Sequence, residues 1–113
     1  MEKLFLNHSI PELLSKIESM SLSPDELILH SAQMFEKYEK DTEAWTTFKR
    51  DNLNQNRREL IDRNLFGIPF GSKDIFNTVD FPTEMGSIIW KNFTPGNNAR
   101  VLDSLLNSGA VLM

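Results

Sequence analysis

Gly67-Ile68-Pro69-Phe70-Gly71-Ser72-Lys73-Asp74 and the closing Ser108-Gly109-Ala110-Val111-Leu112-Met113 decide how this chain is read. The first is an uncharged run, Ile68 to Lys73, held between Gly67 and Asp74. It predicts a buried strand, although Pro69 cannot donate to a ladder and Gly71 has no side chain to pack. The second is the end of a helix running into an apolar strand. Val101, Leu102 and Leu105 form the buried face of that helix, with Asn97 or Asn98 as its cap, and Gly109 is its C′ residue. A helix that ends on glycine and feeds a hydrophobic run is the second half of an α/β unit. Strands of that kind sit in a sheet covered on both faces. Ending on Leu112-Met113, with no following turn or polar cap, the sequence reads as cut rather than finished.

Working back from these runs, the chemistry of the chain changes near residue 64. Residues 1–64 carry nine Lys+Arg and twelve Asp+Glu, whereas residues 65–113 carry three and four. All five glycines lie in the second segment. The division predicts a solvated helical region over 1–64 and a buried, turn-rich core over 65–113. Within the first segment, Ser9-Ile10-Pro11-Glu12 has the spacing of a capping box, followed by Leu13, Leu14 and Ile17 on one face. Ser23-Pro24-Asp25-Glu26 repeats the signal more strongly, and Leu27, Ile28, Ala32, Phe35 and Tyr38 follow at helical spacing. Ala44-Trp45-Thr46-Thr47-Phe48 predicts a short strand from its aromatic and β-branched content. Asp51 can cap a third helix reaching about Arg63, with a thin stripe of Leu53, Leu60 and Ile61.

At 113 residues and a net charge of −4, the chain has room for one small domain or a part of a larger one. It has no cysteine, which excludes a disulfide framework, thiolate metal sites and a cysteine nucleophile. The wholesale basic footprint of a nucleic-acid binder is absent. No apolar run approaches the ~20 residues of a membrane span, and the first residues are too short a stretch for a secretory signal. A cytoplasmic protein without nucleic-acid or membrane partners is expected. His8 and His30 are too far apart in sequence to suggest a metal site, and each reads as a surface or packing residue. Lys49-Arg50 and Arg57-Arg58 are offset by Asp51, Glu59 and Asp62, which is the pattern of a solvated face. Trp45, Trp90, Phe81 and Phe93 read as core or interface anchors. Neither phosphate-cradling glycine pattern occurs, so no cofactor and no metal are expected.

A single lysine at a strand end is ordinarily a solvated charge. Lys73 stands out through the string around it: Gly67-Ile68-Pro69, Lys73-Asp74, Pro82-Thr83 with Gly86-Ser87, then Asn92-Phe93-Thr94-Pro95, Asn98-Ala99 and Gly109-Ala110-Val111. Order and spacing together resemble the N-terminal part of the amidase signature family, closely over residues 65–113 and more loosely over about 20–62. The chain departs from the commonest pattern at Ser72, Ile75 and Asp80. The resemblance implies an α/β fold, a mixed sheet surrounded by helices, of which this chain gives the first helices and about three strands. It also implies an amide hydrolase that uses a serine, a cis-serine and a lysine and passes through an acyl-serine intermediate. In that scheme Lys73 is the general base and later the acid. Asp74, Gly86 and Ser87 are family positions in supporting roles, Asp74 through a backbone or capping contact.

Base chemistry needs a neutral amine, and fewer than about one ordinary lysine in a thousand is neutral at pH 7. Burial would supply the change, because desolvation penalises the ammonium form. The family's glycine- and serine-rich segment, which holds both serines and the oxyanion donors, has no counterpart among these residues. The chain alone is therefore expected to be inactive. Its expected partners are a small-molecule amide in the full-length protein, and a complementary chain or a second copy at an exposed sheet edge. A glutaminase-type subunit of a tRNA-dependent amidotransferase is the lower-ranked alternative, because Phe76-Asn77-Thr78 and Phe81 to Met85 look more like general amidases. A non-enzymatic interaction module or decayed remnant is the third reading.

Overall fold

The computed structural model describes residues 7–50 and 63–113. In chain order it contains α1 (Ile10–Glu18), α2 (Pro24–Thr42), β1 (Pro69–Phe70), a short 3-10 helix (Ile88–Trp90), α3 (Arg100–Asn107) and β2 (Val111–Leu112). Both predicted N-terminal signals start helices. At α2 the capping box is reciprocal: the Glu26 N–H donates to Ser23 Oγ at 3.1 Å, and the Ser23 N–H donates to the Glu26 carboxylate at 2.7 Å. At α1 the Ser9 N–H donates to the Glu12 carboxylate at 2.6 Å. The serine N–H, and then the serine hydroxyl, hold Glu12 and Glu26 below the ordinary carboxylate range.

β1 and β2 pair in parallel, Pro69 opposite Val111 and Phe70 opposite Leu112. Val111 donates to the Ile68 carbonyl at 2.8 Å and Met113 to that of Phe70 at 3.0 Å. Parallel neighbours need a crossover, and here it runs through the loops after β1 and through α3. The alternation of a strand then distributes β2 between two layers. Val111 and Met113 pack with Ile28 of α2 and with Phe48. Leu112 packs with Leu102 of α3 and with Phe81. A third cluster joins Leu13, Leu22 and Leu27 to Ile68. The core thus draws on both the charge-rich and the charge-poor parts of the chain.

α3 ends as its sequence predicts, in a Schellman motif. Ser108 is the C-cap, Gly109 donates to the Leu106 carbonyl at 2.9 Å and Ala110 to that of Leu105 at 3.1 Å. Gly109 has φ +91°, and a Cβ there would come within 2.9 Å of Phe66 Cα. Only glycine meets both demands.

The structure departs from the sequence reading in five places. The strand predicted over Ala44 to Phe48 does not form. The Glu39 carboxylate takes the N–H groups of Ala44 (3.3 Å) and Trp45 (3.0 Å), so these donors are satisfied by the end of α2 instead of a ladder. The six-residue strand from Ile68 shortens to Pro69–Phe70, where the chain lacks a donor at Pro69 and a side chain at Gly71. Two parallel strands, not about three in a mixed sheet, are present among the described residues. The N-cap of α3 is Ala99 instead of Asn97 or Asn98. Asn98 is used otherwise, accepting from the Val79 N–H at 2.8 Å and donating to Asp103 at 3.0 Å.

The fifth departure is the location of burial. The deepest side chains include Leu27, Ile28 and His30 of α2, whereas the loops of the second segment expose Ile75, Phe76, Ile88 and Ile89. Sparse charge there marks apolar surface as much as core. The third helix expected from Asp51 lies mostly outside the described residues.

Candidate active site

The parallel pairing fixes where Lys73 sits. It lies three residues beyond Phe70, at the C-terminal end of β1, which is the end at which open α/β sheets place their ligands. The backbone before it is crowded. Gly71 lies under the Trp45 indole, and a Cβ there would come within 2.7 Å of the ring. The ring is held edge-to-face by Phe48 at 5.3 Å, and Phe48 stacks on Phe35 of α2 at 4.1 Å. Helix α2 therefore buttresses the strand end through three aromatic rings. Beyond Gly71, Lys73 opens onto a cleft of about 280 Å³ whose walls include Trp45, Thr47, Asp74, Phe81 and Met113.

Asp74 ties this corner to a distant loop. Its carboxylate accepts the Glu84 N–H at 2.9 Å, and its carbonyl accepts the Met85 N–H, also at 2.9 Å. The loop then turns at Met85 (φ +55°) and Gly86 (φ +67°), closed by the Ser87 N–H on the Glu84 carbonyl at 2.9 Å. Two successive positive φ values are those of a type I′ turn, and they account for the glycine. Ser87 caps the short 3-10 helix, its Oγ accepting from the Ile89 N–H at 3.4 Å. The four family positions thus belong to one connected loop system, with Lys73 at its rim and Ser87 engaged in backbone capping.

Sequence reasoning missed the two threonines that hold these loops. Thr78 is buried; its hydroxyl donates to the Phe81 carbonyl at 2.8 Å and accepts the Phe81 N–H at 2.9 Å. Thr83 is 1% exposed, with its hydroxyl on the Phe76 carbonyl and its N–H on that of Phe93. The only sequence signal was the uncharged context, which is shared with ordinary loops.

The dryness expected around Lys73 is not supplied by these residues. The side chain is exposed, because the cleft in front of it is open and the neighbouring Ile75 and Phe76 are exposed as well. Of the other basic candidates, Arg57 and Arg58 lie outside the described residues, and Lys49 and Arg50 are engaged elsewhere. Lys49 donates to the Asp80 carbonyl and lies 4.5 Å from the centre of the Phe81 ring, and Arg50 pairs with Glu36. His30 is buried in α2, and that burial pushes its pKa down. Among the described residues, no three His, Asp or Glu side chains converge as metal ligands. Nor is any helix there long and apolar enough to cross a membrane.

The described residues combine helices with a small parallel sheet, and a lysine follows the carboxyl end of its first strand. The chain belongs to the amidase signature family: the family model described as Amidase matches residues 26–113. Similar curated proteins include the A subunit of the glutamyl-tRNA(Gln) amidotransferase of Geobacillus sp. (strain WCH70), 29% identical over 93% of this chain and 24% of the relative. Its counterpart from Nitrosococcus oceani is also 29% identical, over 93% of this chain and 23% of its own length. This chain therefore spans about a quarter of the length of the curated relatives it matches.

A solved structure shares the fold with a TM-score of 0.79 at 20% identity, over 93% of this chain and 25% of the other. It comes from a vestigial protein complex that reveals the evolutionary origins of an s-triazine catabolic enzyme.

Proposed function

We propose that this chain supplies the lysine-bearing quarter of an amide hydrolase, with Lys73 as the group that takes and returns the proton while a serine outside these residues attacks the carbonyl. One observation carries the reading: the family match over 26–113 coincides with a lysine at the carboxyl end of β1, on the rim of a cleft. Exposure of Lys73 in this chain fits a site that is completed, and dried, by further polypeptide. Serving as a base requires that drying, since an ammonium in water has no lone pair to offer. Asp74, Gly86 and Ser87 act in this scheme by shaping the loop beside the lysine.

The test is amide turnover by a complete assembly, this chain together with the serine-bearing portion. Lys73→Ala should lower kcat by about a thousandfold or more with little change in KM, as removal of one member of an interdependent triad does. Unchanged turnover would refute the proposal.

A second reading is favoured by the similar curated proteins, which are amidotransferase subunits. On it, the assembly releases ammonia from glutamine for a partner subunit. Glutaminase activity that appears only with that partner separates it from a free-standing amidase.

A further inference from the structure

We propose that the pocket between α2 and the residues that follow it binds a small quaternary ammonium ion. This goes beyond the proposed function and is independent of it, because Lys73 is not among the residues lining the pocket. Its volume is about 330 Å³, which suits a small molecule. Trp45 stands in the walls of both this pocket and the lysine cleft.

The walls are aromatic. Phe35, Tyr38, Trp45 and Phe48 line the pocket. Phe35 and Phe48 are stacked at 4.1 Å, and Trp45 meets Phe48 edge-to-face at 5.3 Å. Rings that hold one another are arranged before a ligand arrives, so little ordering is required on binding. Aromatic faces attract cations through the ring quadrupole. One ring on α2 already does so: the Lys37 ammonium lies 5.0 Å from the centre of Tyr38. Tyr38 and Trp45 are 41% and 37% exposed, so the pocket is open to solutes.

Charge selects the occupant. Among the described residues, Glu39 is the one charged side chain on the pocket walls. The Ala44 and Trp45 N–H groups donate to its two oxygens at 3.3 and 3.0 Å, which fixes the carboxylate without neutralising it. The nearby Arg50 guanidinium is engaged by Glu36. A neutral occupant would strip water from the carboxylate and return no counter-charge, and an anion would be repelled. A primary ammonium brings three N–H donors that aromatic walls leave unmet. A quaternary ammonium brings none, and its methyl groups suit the rings.

The experiment titrates the 113-residue chain carrying Trp90→Phe, so that emission reports Trp45, with choline chloride at constant ionic strength. A saturable change with millimolar or tighter affinity is expected. The neutral isostere of choline, with a tert-butyl group in place of trimethylammonium, should bind about tenfold more weakly or worse. Glu39→Gln should weaken choline binding by a similar factor. Tyr38→Leu should weaken it severalfold while the unfolding midpoint stays put.

No saturable change overturns the proposal. Equal affinity for the neutral isostere also overturns it, since the pocket would then be merely apolar. So does choline binding that ignores both Glu39→Gln and Tyr38→Leu, which would place the ion elsewhere. If Glu39→Gln loosens the segment after α2, seen as altered Trp45 emission without ligand, the isostere and Tyr38→Leu decide.

Discussion

Helix α2 and the loops after β1 solve the same problem in opposite ways. α2 satisfies its backbone internally and closes its first turn with a reciprocal serine–glutamate box, so its side chains are free to pack. Leu27, Ile28, His30 and Ala32 are buried on it. The loops from Gly71 to Asn98 have almost no regular structure, and their donors are met one at a time by Asp74, Thr78, Glu84 and Asn98. Their polar side chains hold the backbone, while the large apolar ones other than Phe81 are exposed. The comparison teaches that an irregular loop can satisfy its backbone through its own polar side chains while presenting apolar ones at the surface.

The largest effect that would break this comparison is expected at Leu27, which is fully buried between α1 and Ile68. Leu27→Ala should cost about 3 kcal/mol in denaturant unfolding, and Ile89→Ala less than about 0.5 kcal/mol. Similar losses at the two sites would mean that the loops, too, are core. Gly109→Ala should cost about 2 kcal/mol, combining a left-handed backbone with a contact that Phe66 cannot relieve by a rotamer change. Asp74→Ala strips the acceptor from a partly buried Glu84 N–H and should cost about 1–2 kcal/mol, sharpening the role of the ties. Ser23→Ala should cost about 1 kcal/mol through the cap of α2.

The smallest effect is a pH slope. Burial lowers the His30 pKa below its ordinary 6.5, so the folded state resists protonation more than the unfolded one. That stability is complete above about 6.5 and drains away as pH falls below it toward the lowered folded value. Thermal midpoints between pH 7 and 5 should decline, and His30→Gln should flatten the decline.

Much of α2, α3 and β2 was legible because local rules decide them. Ser23-Pro24-Asp25-Glu26 starts one helix, Gly109 ends another, and Val111-Leu112 alternates between two layers. The segment Ala44 to Phe48 was misread because its propensity is that of a strand while the Glu39 carboxylate, at the end of α2, claims the N–H groups of Ala44 and Trp45. Lys73 was singled out through a motif, whereas Thr78 and Thr83 were passed over, because a threonine three or seven residues from its partner carries no distinguishing pattern. Burial was the least legible property. A stretch poor in charge can face the core or the surface, and sequence pattern does not distinguish the two.

Parallel strands emerge from a sheet on the same side, and β1 and β2 are parallel. Met113 lies on the wall of the cleft that Lys73 opens onto, and its carbonyl accepts the Lys49 N–H at 2.8 Å. Anything attached after Met113, an affinity tag included, therefore starts beside that cleft. Variants intended to probe the lysine should carry any tag at the other terminus.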